Sequence, residues 1–331
     1  MAILQEAIDN GLPVKQACAI VGLKERRYRH WRQLAERGLY ERRRKSPEVR
    51  PHNALLQQEK VLIEEAVRRS DWADLSCREI SIRLMEEEGV YVSHVAIWSH
   101  MKAQGLAGHR GGRRLRGRRR GEKPDTSWVD GPKQLWAWDI TKLRTGVPGK
   151  FWYLYTVLDQ WSRKVVAWSV EQRECSDLAQ RVWDEALLAE GMGNGLMPVS
   201  LSDRGSQMRS RSTRQFFQDM GVAQLFSRPR TPNDNPFVES LFSTVKTHPE
   251  YPGVFPTLEE ARTYCEKFFA WYNTEHLHTR IGMVTPEQKH NGEWVRIQAV
   301  REAIKAKTLM ARRAANVRLA QQNKIPEAVI S

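Results

Sequence analysis

Apolar residues recur along this chain with two different periods. Residues 1–106 carry helical spacing. In "ACAIVGLKERRYRHWRQ", Val14–Val21 predicts one short helix and Gly22 supplies a turn. Tyr28 and Trp31, three apart, then give a second helix a buried stripe. "LSCREISIRLMEEEGVYVSHVAIWSHMKAQGL" (75–106) repeats the plan. Ile80 and Leu84 mark one helix, Gly89 a turn, and Ser93 the N-cap of a helix that turns Ile97 and Met101 inward. From Pro132 the period shortens to two. "KQLWAWDITKLR" (133–144) sets Leu135, Ala137 and Asp139 on one face and Trp136, Trp138 and Ile140 on the other. "KFWYLYTVLDQ" and "RKVVAWSV" follow across turns, so Gln134–Val170 reads as a three-stranded antiparallel meander.

Helices and strands then alternate. A helix over Ser176–Glu190 turns Leu178, Val182, Ala186 and Leu187 inward and stops at "GMGNG". "LMPVSLSD" is a short buried strand that ends on Asp203, and Gly205 permits the turn after it. A helix through Phe216 and Phe217 and the strand "AQLFS" come next. The following helix has Asn235 as N-cap and Pro236 at its first position. With Glu239 at zero on the helical wheel, Phe237, Val238, Leu241, Phe242 and Val245 fall on the far side. Lys246 falls within about 20° of Glu239. The helix therefore packs by one face and presents an acid, with a cation two turns on, from the other.

Three strands, helix, strand, helix, strand, helix is the order of a ribonuclease-H-like α/β domain. The first and fourth strands are neighbours in that order and the last helix leans over their ends, so Asp139, Asp203 and Glu239 are expected to converge. An acid in the middle of an apolar strand is costly unless it is used. Three acids together repel one another unless a cation neutralises them. Carboxylate oxygens favour Mg²⁺ or Mn²⁺ over zinc. Two such ions about 3.5–4 Å apart serve phosphoryl transfer, by activating a water or a 3′-hydroxyl and stabilising the leaving oxygen.

Charge adds a partner. The net charge is +14, and residues 1–125 hold 26 Lys and Arg against 17 Asp and Glu. Such clustering points to a polyanion, most simply DNA. Arg26, Arg27, Arg29, His30 and Arg32 share the polar face of the second predicted helix, which suits a major groove and its phosphates more than a merely solvated hairpin. "GHRGGRRLRGRRRGEKPD" (108–125) has no apolar period and reads as a basic linker. The expected organisation is a helix-turn-helix at 1–45, a second helical region at 54–106, a linker at 107–130, the α/β domain at 131–292 and a basic helical tail at 293–331. That tail suits DNA, another subunit or solvent alike. Scattered cysteines (Cys18, Cys77, Cys175, Cys265) suggest neither zinc nor disulfides. No apolar run is long enough for a membrane span and no signal-type start is visible, so a cytoplasmic location is expected.

"WDITKL", "YLYTVLDQWSRKVVAWSV", "LSDRGSQ", "NDNPFVESLFSTVKT" and "WYNTEHLHTRIGMVTPEQKHNG" occur in this order. The chain thereby resembles the IS-three family of bacterial insertion-sequence transposases, whose core is of the retroviral-integrase type. Asp203 and Glu239 stand 36 positions apart, the spacing that family calls DD(35)E, and Lys246 stands where it carries Lys or Arg. The resemblance covers about residues 130–292. It implies Asp139, Asp203 and Glu239 as ligands of two Mg²⁺ or Mn²⁺ ions. It implies binding of terminal inverted repeats, then strand cleavage and transfer without a covalent protein–DNA intermediate. Homo-oligomerisation and an upstream reading-frame product are further expectations. "DNP" replaces the more usual "DNA" of the family, which leaves the helix start intact.

Other polar residues are read more plainly. Asp159 is expected to cap a turn or pair with Arg163, and His276 and His278, placed on a helix end with different faces, to pack or touch DNA. Arg228, Arg230 and Asn233 lie on the approach to Glu239, where DNA contact and an exposed loop are both open.

Overall fold

In the computed structural model, residues 2–36, 51–72, 74–106, 125–193, 195–228 and 235–322 are described. They fall into two compact units, Met1–Leu62 with Ala306–Ser331, and Ile63–Lys305. The Arg/Gly-rich stretch up to residue 124, Arg230 and Asn233 lie outside the described residues.

The larger unit is organised by the strand β1 (Leu135–Arg144). Antiparallel to it runs β2 (Phe151–Asp159), and antiparallel to β2 runs β3 (Val165–Glu171). β4 (Val199–Ser202) pairs with β1 in parallel, and β5 (Gln224–Phe226) with β4. The sheet order is β3-β2-β1-β4-β5. The meander is thus extended by parallel strands reached through helices, which is the ribonuclease-H-like arrangement expected from the element order.

The two faces of β1 bury different layers. Trp136 and Trp138 pack with Tyr155 and Val157 against α7 (Ser176–Ala189) and α8 (Arg211–Asp219). Trp183 and Phe217 from those helices meet edge to face at 4.8 Å, and both touch Trp138. The Trp138 indole N–H donates to Ser200 Oγ at 2.9 Å, satisfying its polar end in the core. Leu135, Ala137 and Leu143 face the other way, toward α9 (Pro236–Thr247) and α10 (Leu258–Thr274). Val238, Leu241, Phe242 and Val245 are the buried residues of α9, as its wheel predicts.

Ahead of the sheet, α5 (Cys77–Glu88) and α6 (His94–Ala103) pair across a left-handed Gly89, φ 63°. Ser76 and Glu79 form a reciprocal capping box, and the Ser93 side chain caps α6. Behind the sheet, α11 (Pro286–His290) leads into α12 (Trp294–Gln322). Arg301 of α12 donates to the carbonyls of Gly282 and Met283 and pairs with Glu86 at 2.6 Å.

The smaller unit contains α1 (Ala2–Asp9), α2 (Val14–Ile20) and α3 (Glu25–Glu36) around Leu4, Ala17, Cys18 and Tyr28. Gly22, at φ 65°, makes the predicted turn. Here α4 (Gln57–Arg68) begins, and Glu59 on it takes three hydrogen bonds of 2.8–3.0 Å from Arg312 Nε and Nη2. Asn316 Nδ2 donates to the carbonyls of His52 and Ala54. The C-terminal helix therefore spends Arg301, Arg312 and Asn316 inside its own chain. Sequence reading anticipated DNA, another subunit or solvent for it and missed this use. Basic residues in a helix of low amphipathicity carry no mark of a buried partner more than two hundred positions away.

Arg312 and Glu59 are both nearly inaccessible, at 5% and 6% exposure. Arg312→Leu strands a buried carboxylate, which costs about 3–5 kcal/mol. Chemical denaturation should show that loss, and Glu59→Leu added to Arg312→Leu should recover most of it.

Candidate active site

β1 and β4 hold a fixed offset: Leu135 lies opposite Val199, Trp136 opposite Ser200 and Ala137 opposite Leu201. Two residues beyond Ala137 is Asp139, and two beyond Leu201 is Asp203. The register thus carries both acids to the same level of neighbouring strands, whose axes stand about 4.8 Å apart. Ala137 and Leu201 share the layer that packs on α9, so alternation turns Asp139 to that side too.

Each acid is fixed locally. Asp139 Oδ1 accepts from the Ile140 N–H at 2.8 Å, and Asp203 Oδ1 from the Gly205 N–H at 2.8 Å. Gly205 earns its place by size rather than by left-handed backbone. A Cβ there would stand 3.0 Å from Asp203 Oδ1 and 2.9 Å from Met208 Sδ. This corrects the sequence expectation of a turn that needs glycine's conformational freedom.

Glu239 is exposed in the first turn of α9. Asn235 occupies the N-cap position, but its side chain does not cap the helix. Instead Nδ2 donates to the Trp138 carbonyl at 3.3 Å, tying the start of the helix to β1 one residue before Asp139. The backbone at Asn235 (φ −118°, ψ 53°) is outside the extended region typical of capping residues, which is why that expectation fails.

The neighbouring acids act on Asp139. Burial chiefly, with added repulsion from Asp203, Glu239 and Glu174, pushes the Asp139 carboxyl up to about 7; the Ile140 N–H pulls against this. Glu174, just beyond β3, escaped sequence analysis because nothing in its spacing links it to the other three. Among the described residues no group of three or more His, Cys, Asp or Glu stands close enough to hold a metal ion. The acids are therefore electrostatic neighbours rather than a formed ligand cage. Their donor chemistry is hard oxygen throughout, which fits Mg²⁺ or Mn²⁺ and not a thiolate or imidazole metal.

Lys246 emerges on the same side of α9 as Glu239. Its Nζ donates to Thr141 Oγ1 at 2.7 Å. Thr141 is the next residue after Asp139 on that face of β1, so strand parity alone could have found it. Burial lowers the Lys246 pKa, and the charge of Asp139 partly offsets this. Arg228 is half-buried after β5.

The other predicted groups resolve differently. Asp159 is fully buried and caps its turn, accepting from Ser162 N and Oγ at 2.8 Å and from Lys133 N at 2.6 Å. Arg163 turns instead to the Phe237 ring and the Gln160 carbonyl. His276 and His278 lie beyond the end of α10, where helical spacing no longer applies. Their rings meet at 4.9 Å rather than facing apart. His278 Nε2 is 2.8 Å from the Tyr272 hydroxyl, and burial takes His278 down to about 3. Both are packing residues.

On α3, Arg29 pairs with Glu25 at 2.5 Å and Arg32 with Glu36 at 2.8 Å. Arg27 lies over the Trp31 ring, and Arg26 is exposed. All four remain on the outer surface of the helix, and the two exposed pairs are weak enough to open.

Residues 129–232 and 220–286 each match an integrase core domain. Together the two matches span residues 129–286, a little under half of the chain. Similar proteins include transposase InsF for insertion sequence IS3A from Escherichia coli (strain K12), 31% identical over 166 residues, or 50% of this chain and 56% of that one. Another is the putative transposase InsK for insertion sequence element IS150 from the same strain, 26% identical over 160 residues, 48% and 55%. The matched region is thus a little over half the length of these relatives. A solved structure with similarity is the HTLV-2 integrase catalytic core domain in complex with magnesium, at 16% identity and TM-score 0.37, covering 48% of this chain and 97% of that one. The segment that matches an integrase core domain contains Asp139, Asp203 and Glu239.

Asp139 holds its proton up to about 7 in the folded chain, against 3.8 as its ordinary value. The folded state then binds more protons than the unfolded state between those limits, so stability falls as pH rises through them. In chelator, denaturation midpoints of the wild type should drop across that window, and Asp139→Asn should flatten the slope.

Proposed function

We infer that this chain is a DNA transposase. It binds the terminal inverted repeats of an insertion sequence and catalyses strand cleavage and strand transfer without a covalent protein–DNA intermediate. The observation that carries this reading is the β1–β4 register, which brings Asp139 level with Asp203 beneath the helix that bears Glu239. The similarity to insertion-sequence transposases supports it.

Asp139, Asp203 and Glu239 would hold two Mg²⁺ or Mn²⁺ ions, which when bound supply a lowered water or 3′-hydroxyl pKa and charge stabilisation at the scissile phosphate. The chain's own residues do the positioning. Asn235 anchors the Glu239 helix to β1. The Gly205 N–H orients the Asp203 carboxylate, and Gly205 leaves it room. Lys246, held ready by Thr141, reaches a neighbouring DNA phosphate. Arg228 guides the strand from the β5 side. Arg26, Arg27, Arg29 and Arg32 present α3 to duplex DNA, with phosphate contacts setting the affinity.

Holding two element ends together calls for more than one copy, so the working form is a homo-oligomer, with an upstream reading-frame product as a further partner. The reaction takes place on DNA in the bacterial cytoplasm. Among the described residues, no helix is long and apolar enough to cross a membrane.

The test is cleavage and strand transfer on end-sequence DNA with Mg²⁺. Asp203→Asn should lose at least ~10²-fold in rate, since even outer partners of metal ligands cost that order, while end binding is retained. Equal rates would sink the assignment. Converting Arg26, Arg27 and Arg29 together to Ala should weaken end binding and make the log–log salt slope shallower by about 2.7, the value for three lost phosphate contacts. An unchanged slope in a filter-binding titration would remove α3 from the interface.

A further inference from the structure

In the unit Ile63–Lys305 a second set of cations faces a cavity of about 440 Å³. Arg163, Arg280 and Lys289 line it with Trp161, Trp294 and Gln298, and no Asp or Glu contributes to its wall. Lys289 Nζ stands 4.1 Å from the Trp161 ring centre and 3.4 Å from that of Trp294, and the two rings meet edge to face at 6.3 Å. The Arg163 guanidinium lies 3.3 Å over the Phe237 ring and gives one N–H to the Gln160 carbonyl. Among the described residues none of these three cations forms an ion pair.

Burial lowers the Lys289 ammonium and brings Arg163 down to about 10. Two other buried or half-buried cations of the unit are matched: Arg301 has Glu86 and Lys164 has Glu190. Partly desolvated cations without a counter-charge are costly, and an entering anion relieves that cost. A second cavity, of about 560 Å³, shares Arg163 and Arg280 and continues along Phe237, Ser240 and Thr244 of α9. On the wheel these positions lie away from Glu239. The two cavities meet in a groove at the shared Arg163 and Arg280; its first part is basic and aromatic without an acid, and Glu79 lines the second. A DNA duplex is about 20 Å wide, too wide for such a cavity, whereas an unpaired nucleotide fits the usual size of a small-molecule site. Aromatic walls interleaved with cations are the pattern of single-strand binding.

We propose that this groove holds an unpaired segment of DNA single strand, a base against the Trp161–Trp294 pair and flanking phosphates on Arg163, Arg280 and Lys289. The proposal rests on the reading of this chain as a DNA-acting integrase-core protein, and adds a strand-holding site apart from the three acids. An acidic peptide would satisfy the cations but leave the aromatic walls without a flat partner.

The experiment irradiates the full chain with a 12-nucleotide single-stranded oligodeoxynucleotide carrying 5-iododeoxyuridine and maps the cross-links by mass spectrometry. Cross-links should fall on the peptides containing Trp161 and Trp294. The exposed substitution Arg280→Gln, alone and with Lys289→Gln, should lower their yield, roughly tenfold for the pair, while leaving cross-links to residues 1–36 unchanged. Absence of cross-links at both tryptophans, or an unchanged yield in both variants, would overturn the proposal. So would displacement of the strand from these peptides by a polyglutamate peptide at equal charge, which would reassign the groove to an acidic protein. Strand transfer measured on the same preparation separates the two readings. Cross-links without transfer sustain the groove and sink the transposase, and transfer without cross-links does the reverse.

Discussion

The alternation of side chains along β1 governs the larger unit. A strand turns successive residues to opposite faces, so Trp136 and Trp138 must share one layer and Leu135, Ala137 and Asp139 the other. Two indoles are too large for the α9 side, where a helix has to lie close enough to bring Glu239 down to the strand ends. They fill the α7–α8 side, and Trp183 and Phe217 interlock with them. The small Ala137 on the opposite face lets α9 approach. A one-residue slip in this strand would exchange the faces, put indoles under α9 and send Asp139 into the Trp183 layer. Core packing and placement of the acid are thus one constraint.

The electrostatics follow from that placement. Asp139 sits in the middle of β1, just past the last residue paired with β4, and burial is the largest influence on its carboxyl, with the other acids adding to it. The nearest designed cation does not cancel this: Lys246 is held by Thr141, a neutral partner on the same face. A lysine ion-paired to Asp139 would occupy the carboxylate and block ligand exchange. Lys246, held on a hydroxyl instead, forms no ion pair with Asp139. Asn235 contributes by what it forgoes, since its amide secures the helix to the Trp138 carbonyl instead of capping it.

Much of this was legible in the sequence. Period-two alternation gave the meander and the face of Asp139, and the helical wheel gave the buried face of α9 and the shared side of Glu239 and Lys246. The order of elements gave the fold. What escaped was of another kind. Glu174 joins the acids only because β3 ends near them in space. Gly205 is required for clearance, which depends on where Met208 comes to rest. His276 and His278 pack, as expected, but not on different faces, because the helix stops at Thr274, two and four positions before them. Pairings such as Glu59 with Arg312 span 253 positions, and local pattern carries no information about them.

The same limit applies to net charge. A count of +14 with an excess in the first 125 residues directs attention to the N-terminal helices. Folding redistributes its meaning. Arg29 and Arg32 are matched by glutamates one turn away, and Arg301 and Arg312 are consumed within the chain. Arg163, Arg280 and Lys289 are unremarkable in sequence, each flanked by ordinary residues. Yet three elements, the β2–β3 turn, the loop after α10 and α11, bring them to one cavity without an acid. The residual positive potential that a polyanion meets is set by which cations remain without partners after folding. By that measure the larger unit keeps positive charge of its own, besides that of the N-terminal helices to which the charge count first points.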